Sequence, residues 1–222
     1  MRASDRAVTE PAEKLPDGTV IRLRSVRPED ERLLQDLAAH MSPEDMRFRF
    51  LAAMRGLSHE LAARLSHIDH DRDVVLLAFA EGDEEVLGVA RFSADPDKRA
   101  AEFAIAVRTD WKGHGLGHLL MVRIIQQARL HGIDELVGEV LPENAAMLQL
   151  CREFGFTVGI DPDFAKLRRV SKALQNSDAS LPPMTEAQAG PTAAQPSNQD
   201  DLTIAAGFGS VASLKFTAIY RS

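Results

Sequence analysis

Apolar and polar residues along the first 107 positions follow two patterns, and each predicts a different kind of element. Four β-prone segments predict strands: residues 19–26, 73–80, 86–93 and 100–107. Three segments with apolar residues at helical spacing predict helices: residues 29–41, 42–51 and 58–68. Ser42 and Ser58 stand where helix N-caps are expected. Short turns join the last three strands, which predicts an antiparallel arrangement.

The pattern then changes to alternating helices and strands. Four further elements are predicted: an amphipathic helix over 115–131, a strand over 135–141, a helix over 143–154 and a β region from 156 into 167–174. Ser, Pro, Ala, Gln and acidic residues fill 177–201 without a basic residue, which is typical of a disordered linker. Residues 202–220 are again β-prone, and either an added strand or an unstructured extension fits them. We therefore predict an extension (1–18), one domain (19–175) and a disordered tail (176–222).

Composition narrows the function classes. The 222 residues are 45% hydrophobic and 27% charged, as expected for one globular domain. A net charge of −7 argues against nucleic-acid binding, which depends on many basic contacts to phosphate. No stretch resembles a signal peptide or a membrane span, so a cytoplasmic protein without membrane contact is expected. One cysteine and the absence of a His-x-x-x-His pair inside a predicted helix predict that no metal is bound.

The segment WKGHGLGHLL, residues 111–120, places three glycines between a predicted strand and a predicted helix. Such a turn presents backbone N–H groups and the positive end of the helix to an anion, most commonly a phosphate. Glycine allows close approach of the ligand and permits positive φ angles. The spacing fits neither a Walker loop nor a Rossmann fingerprint. Glycines placed only for tight packing are the alternative reading.

Two motifs resemble the GNAT (GCN5-related N-acetyltransferase) superfamily over about residues 19–174. Lys112 to Gly117, KGHGLG, resembles its Arg/Gln-x-x-Gly-x-Gly/Ala pyrophosphate loop, with lysine as a departure at the first position. Asn144 and the segment 151–156, CREFGF, resemble its Asn…Tyr-x-x-x-Gly-Phe pattern, with Cys151 in place of the tyrosine. The resemblance implies an α+β GNAT fold: a mixed, mostly antiparallel central sheet with helices on both faces.

The resemblance also implies acetyl-CoA as the acyl donor. It implies a cofactor-binding set of nine residues: Ala106, Val107, Lys112, Gly113, His114, Gly115, Leu116, Gly117 and Asn144. For Asn144, helix capping is the alternative role. A splay at the 100–107 strand would let the pantetheine arm pair with Ala106 and Val107, and would free an N–H near Val107 for the thioester oxygen.

A narrower likeness links the chain to the GNAT domain of bacterial protein lysine acetyltransferases, of the type fused to an acyl-CoA-synthetase-like region. It lies in five short segments: 17–19, 27–30, 42–50, 57–58 and 101–104. This implies a protein lysine as the acceptor. A small amine is an alternative acceptor, and an acetyl-CoA-sensing module without turnover is an alternative of another class.

Glu102 and Cys151 are the candidate catalytic residues. An amine must lose a proton before it can attack a thioester, and by resemblance Glu102 is the general base, directly or through water. Ala104 and Ala106 share its strand face, and apolar surroundings would raise the pKa of Glu102. A solvent-facing acid is the alternative. Cys151 fits three roles: helix packing, proton donor to the CoA thiolate, or acylated nucleophile.

Overall fold

The computed structural model describes residues 12–162 and 164–174. Its strands are β1 (Glu13–Lys14), β2 (Val20–Ser25), β3 (Asp73–Ala80), β4 (Val86–Ala94), β5 (Ala100–Val107), β6 (Glu135–Val140), β7 (Thr157–Ile160) and β8 (Arg168–Ala173). Its helices are α1 (Glu31–Ala39), α2 (Pro43–Phe50), α3 (His59–Ser66), α4 (Leu116–Leu130) and α5 (Ala145–Glu153), with 3-10 turns at Pro28–Asp30 and Thr109–Trp111.

The strands form one eight-stranded sheet in the order β1-β2-β3-β4-β5-β6-β8-β7. Neighbouring strands are antiparallel except β5 and β6, which run parallel. Helix α4 connects β5 to β6, as a parallel pair requires a crossover. The predicted GNAT fold, with a mixed and mostly antiparallel sheet, is confirmed.

Helices cover both faces of the sheet, and each face has its own apolar core. On one face, Leu120 and Ile124 of α4 are fully buried in a cluster with Phe92 of β4. On the other, Leu34 and Leu37 of α1 pack in a cluster with residues of β3. Burial of these two faces is the main apolar contribution to stability.

Local signals in the sequence set several element boundaries. The predicted N-caps are confirmed, because the Ser42 hydroxyl accepts the Asp45 N–H and the Ser58 hydroxyl accepts the Leu61 N–H. Gly88 of β4 lies under α4, where a Cβ would come within 3.0 Å of both the Ala106 oxygen and the Leu120 side chain. A glycine at this point allows α4 to pack closely on the sheet.

The N-terminal segment differs from its prediction as a separate extension. Glu13 and Lys14 pair with Ile21 and Val20 of β2, and Leu15 is only 2% exposed in the larger core. A two-residue strand is too short to show a hydrophobic period, so pattern reasoning misses it. The final β region is two strands, β7 and β8. The predicted tail lies outside the described residues.

Candidate active site

A cleft opens where β5 and β6 stop pairing. Residues 100–102 of β5 pair with residues 135–137 of β6, and pairing ends there. Beyond that point residues 103–107 and 138–140 line the two sides of a cleft of about 280 Å³. The splay expected at this strand is therefore present.

Phe103 lies at the point of separation. It directly follows Glu102, the last paired residue of β5, and a Cβ on Gly138 of β6 would come within 3.0 Å of its ring. The ring also packs against Phe156, with centroids 5.1 Å apart. The Phe103 ring thus uses the space that the missing side chain leaves at Gly138, and both residues line the cleft.

The glycine loop forms one end of this cleft. Gly113 and Gly115 have φ angles of +84° and +89°, so the predicted positive φ values are confirmed. A Cβ on Gly117 would meet no atom within 4 Å, and Gly117 lines the cleft. Within the described part of the chain, the N–H groups of residues 113–117 have no hydrogen-bond acceptor. Together with the start of the 15-residue helix α4, they form an environment suited to an anion.

The loop residues face different directions. Lys112, Gly113 and Gly117 line the cleft. Leu116 is instead fully buried in the core, and a Cβ on Gly115 would lie 3.0 Å from the ring of Pro16. These residues shape the loop, and they would reach a ligand through their backbone only.

His114 ties the loop to the N-terminal segment. Its Nδ1 lies 2.7 Å from Asp17 Oδ2, and its ring packs against Trp111 with centroids 5.4 Å apart. Hydrogen bonds from His114 and the Thr19 backbone lower the pKa of Asp17 to about 2. The segment before β2 therefore restrains the glycine loop through this contact.

Ala106, Val107 and Asn144 also line the cleft. Ala106 and Val107 pair with Val89 and Gly88 of β4 on one edge, and they face the cleft beyond the end of the β6 pairing on the other. The Asn144 Oδ1 accepts the Met147 N–H at 3.2 Å, so the capping role is present alongside a position on the cleft wall.

Glu102 lies at the vertex, where the strands separate. Burial raises the pKa of its carboxyl to about 7, and the nearby Glu139 carboxylate adds to the rise against the opposing effects of Arg91 and Arg49. The direction expected from the sequence is confirmed. The Glu102 side chain is partly exposed but does not itself line the cleft, whereas Ala104 and Glu139 do. The Glu102 carboxylate would therefore reach a ligand in the cleft either through a bridging water molecule or after a small movement of its side chain.

Cys151 lies away from the cleft. It is 0% exposed, belongs to the core beneath α4 and does not line the cleft, whereas Met147 and Leu150 of the same helix do. Burial raises the pKa of its thiol to about 12, which makes it a poor proton donor to a CoA thiolate of pKa about 8.5. Of its three predicted roles, the structure favours helix packing over proton donor and acylated nucleophile.

Residues from the α1–α2 connection, α2 and β6 complete the cleft wall, and the sequence motifs do not single them out as a group. They are Met41, Asp45, Phe48, Arg49 and Glu139. The segment 42–50 is part of the lysine acetyltransferase likeness, but nothing in the chain indicates that Glu139 faces Glu102. That proximity follows from the register of β5 and β6.

Two absences within residues 12–162 and 164–174 bear on other functions. No three His, Cys, Asp or Glu side chains there are placed to hold a metal ion together. Within the same residues, every helix is too short or too polar to cross a membrane.

Several known proteins are similar to this chain in sequence. The model of the acetyltransferase (GNAT) family matches residues 38–156. A Pseudomonas aeruginosa protein named as an acetyltransferase is 31% identical over 153 residues, 68% of this chain and 82% of that relative. An L-methionine sulfoximine/L-methionine sulfone acetyltransferase of the same species is 31% identical over 87 residues, 37% of this chain and 51% of that relative.

Solved structures share the fold. The GNAT domain of S. lividans PAT superposes with a TM-score of 0.69 at 27% identity, covering 74% of this chain and 97% of that domain. A Salmonella typhimurium acetyltransferase solved with acetyl-CoA has a TM-score of 0.54 at 21% identity, covering 72% of this chain and 97% of that chain. With its cleft and glycine loop, this chain belongs to the GNAT family and is an acetyltransferase that uses acetyl-CoA as its donor.

Proposed function

We propose that this enzyme transfers the acetyl group of acetyl-CoA to the ε-amino group of a protein lysine, by direct attack in a ternary complex. The observation that carries the proposal is Glu102, a carboxylate with a pKa near 7 at the vertex of the cleft. A base in this range is half ionised near neutral pH and suits proton removal from an amine. The likeness to lysine acetyltransferase GNAT domains supports lysine as the acceptor.

The donor would lie along β5 with its diphosphate at the glycine loop. The N–H groups of residues 113–117 and the Lys112 ammonium would hold the diphosphate oxygens. The pantetheine arm would run beside Ala106 and Val107 as an additional strand, with Asn144 on the opposite wall. This order brings the thioester towards the vertex and Glu102.

Glu102 removes one of the two protons that the lysine ammonium must lose. The lysine enters as an ammonium, because its pKa is about 10.4. Glu102 accepts one proton, directly or through water, and the neutral nitrogen attacks the thioester carbonyl carbon. The C–N bond forms and the C–S bond breaks. The second amine proton passes to the departing thiolate, so that amide and free CoA thiol remain.

The negative charge that develops on the thioester oxygen needs a hydrogen-bond donor. Backbone N–H groups on the cleft edge of β5 near Val107 are suited to this, because the adjacent strand no longer pairs with them. The thiol of CoA has a pKa of about 8.5, so its thiolate leaves readily and water can relay the second amine proton to it. No role is assigned to Cys151.

A small amine with a carboxylate is the second candidate acceptor. The guanidinium groups of Arg49 and Arg91 both act to lower the pKa of Glu102, and Arg49 lines the cleft. Such groups suit the carboxylate of an amino acid. The match to the L-methionine sulfoximine/L-methionine sulfone acetyltransferase favours this candidate, although it spans only 37% of this chain.

A CoA-release assay separates these functions. The enzyme is supplied with acetyl-CoA and, separately, with lysine-containing peptides, free amino acids or polyamines, and the free thiol is measured with a chromogenic reagent. We expect release with peptides whose lysine is free and none when that lysine is already acetylated. Preference for amino acids would select the second candidate. Tight CoA binding without turnover on any amine would select a sensing module and refute catalysis.

A further inference from the structure

One ion pair joins the glycine loop to helix α2 across the cleft. The Lys112 ammonium, at the start of the glycine loop, contacts the Asp45 carboxylate of α2, which lies 67 residues away in the sequence. Both residues line the cleft. The Asp45 side chain is 5% exposed, whereas that of Lys112 is 51% exposed. The carboxylate is thus enclosed while the ammonium stays accessible from the cleft.

A hydrogen-bond network fixes Asp45 in this position. Its Oδ2 accepts the Thr109 hydroxyl at 2.6 Å, and the Thr109 oxygen in turn accepts the Ser42 N–H at 2.7 Å. The Thr109 N–H donates to the His40 carbonyl. Burial alone would raise the pKa of Asp45, but hydrogen bonds from Lys112, Thr109 and Ser42 hold it below its ordinary value. The carboxylate is therefore ionised at neutral pH and needs its cationic partner.

Helix α2 carries residues of the opposite cleft wall. Phe48 and Arg49 follow Asp45 by three and four residues, and both line the cleft. Because α2 has only eight residues, a restraint at Asp45 acts on the whole helix. A lysine ammonium has three N–H donors, so it can contact a carboxylate and a phosphate oxygen together.

We propose that Lys112 holds the donor diphosphate and Asp45 at the same time, so that donor binding immobilises α2 and the acceptor wall. Asp45 is then a positioning residue that couples the donor and acceptor sites. This inference rests on the proposed placement of the diphosphate at the glycine loop. It predicts that the two sites influence each other reciprocally.

Hydrogen exchange of the full chain, with and without coenzyme A, tests the coupling. We expect coenzyme A to slow exchange in peptides covering residues 43–50 of the wild type by about fivefold, at the low end of ordinary coupling strengths. In Asp45→Asn the slowing is lost there but kept in peptides covering the loop. Lys112→Gln removes the other partner and gives the same loss, and the double variant adds nothing further.

Glu44→Gln is the matched control. Glu44 is exposed, stands next to Asp45 in the first turn of α2 and makes no ion pair with the described residues, so its removal changes the same helix charge without disturbing Lys112. This variant should keep the wild-type slowing. Equal slowing in Asp45→Asn, or unchanged or faster exchange of residues 43–50 in a wild type that binds coenzyme A, would overturn the inference. No calorimetric binding of coenzyme A by the wild type would remove the donor site, and this inference with it.

Discussion

Glu102→Gln tests the proposed chemistry most directly, because it removes the carboxylate and keeps its size. The pKa of Glu102 is raised from 4.5 to about 7, so about a tenth of the carboxyl is ionised at pH 6 and about nine-tenths at pH 8. A general base contributes about 10²- to 10⁴-fold to the rate. We expect kcat/KM at pH 8 to fall by this factor. The ratio of wild type to variant should shrink about tenfold per pH unit below pH 7.

The same substitution has a predicted effect on stability. A carboxyl with a folded-state pKa above its unfolded value favours folding most below pH 4.5, and this contribution is lost as the pH rises through about 7. Glu102→Gln should therefore raise the free energy of unfolding at pH 8 by up to about 3 kcal/mol, and by much less at pH 5. Urea denaturation at both pH values measures the difference.

The assay is thiol release with a lysine peptide, from pH 5.5 to 9, and Glu135→Gln is the control. Glu135 is another partly exposed strand acid, two residues before the Glu102 partner Val137, and it should tolerate substitution without loss of rate. If the ratio of wild-type to Glu102→Gln kcat/KM does not change with pH, the proposal of a titrating base is refuted. A Glu102→Gln variant that is less stable than wild type at pH 8 would identify Glu102 as a structural ion-pair partner instead.

Three further predictions concern the rest of the cleft. Glu139→Gln removes a charge that raises the pKa of Glu102, so the acid limb of the kcat/KM profile should move to lower pH. Gly117→Gln adds a side chain at a position where a Cβ meets no protein atom but would face the proposed diphosphate. We expect calorimetry to show at least about tenfold weaker coenzyme A binding. Urea unfolding should show a stability that is unchanged or about 1 kcal/mol greater, because glycine is a poor helix former. Cys151→Ala should keep kcat within about twofold and cost roughly 1–2 kcal/mol of stability, since the thiol is a buried packing group; a large loss of kcat in a folded variant would restore its catalytic role.

Elements whose structure depends on residues close by in the sequence could be predicted well. Helix α4 is predicted over 115–131 and found at Leu116–Leu130, because apolar residues at helical spacing and the preceding glycines define it locally. The two N-caps and the β3–β4 hairpin follow for the same reason. The donor end of the cleft is made almost entirely of such local features, so its geometry was accessible to pattern reasoning.

The acceptor end depends on distant contacts, and the sequence does not reveal them. Asp45 meets Lys112 only because α2 packs beside the loop after β5, and Glu139 approaches Glu102 only through the parallel register of β5 and β6. Cys151 occupies the motif position of a tyrosine, yet its short side chain ends in the core. A motif identifies a position along the chain, whereas burial depends on the whole fold.

The separation of β5 from β6 itself favours the donor as the occupant of the cleft. Past Glu102, no strand of the described residues lies beside the β6-side edge of β5 from residue 103 to 107, although Ala106 is buried. Backbone N–H and C=O groups in such an apolar environment are costly without partners. An extended chain with amide groups satisfies them in the way that a further strand would, and pantetheine contains two amides. In the proposed reaction the lysine side chain offers no such partners along its methylenes, so we expect it to approach the vertex from the α2 side, where Phe48 and Arg49 line the cleft.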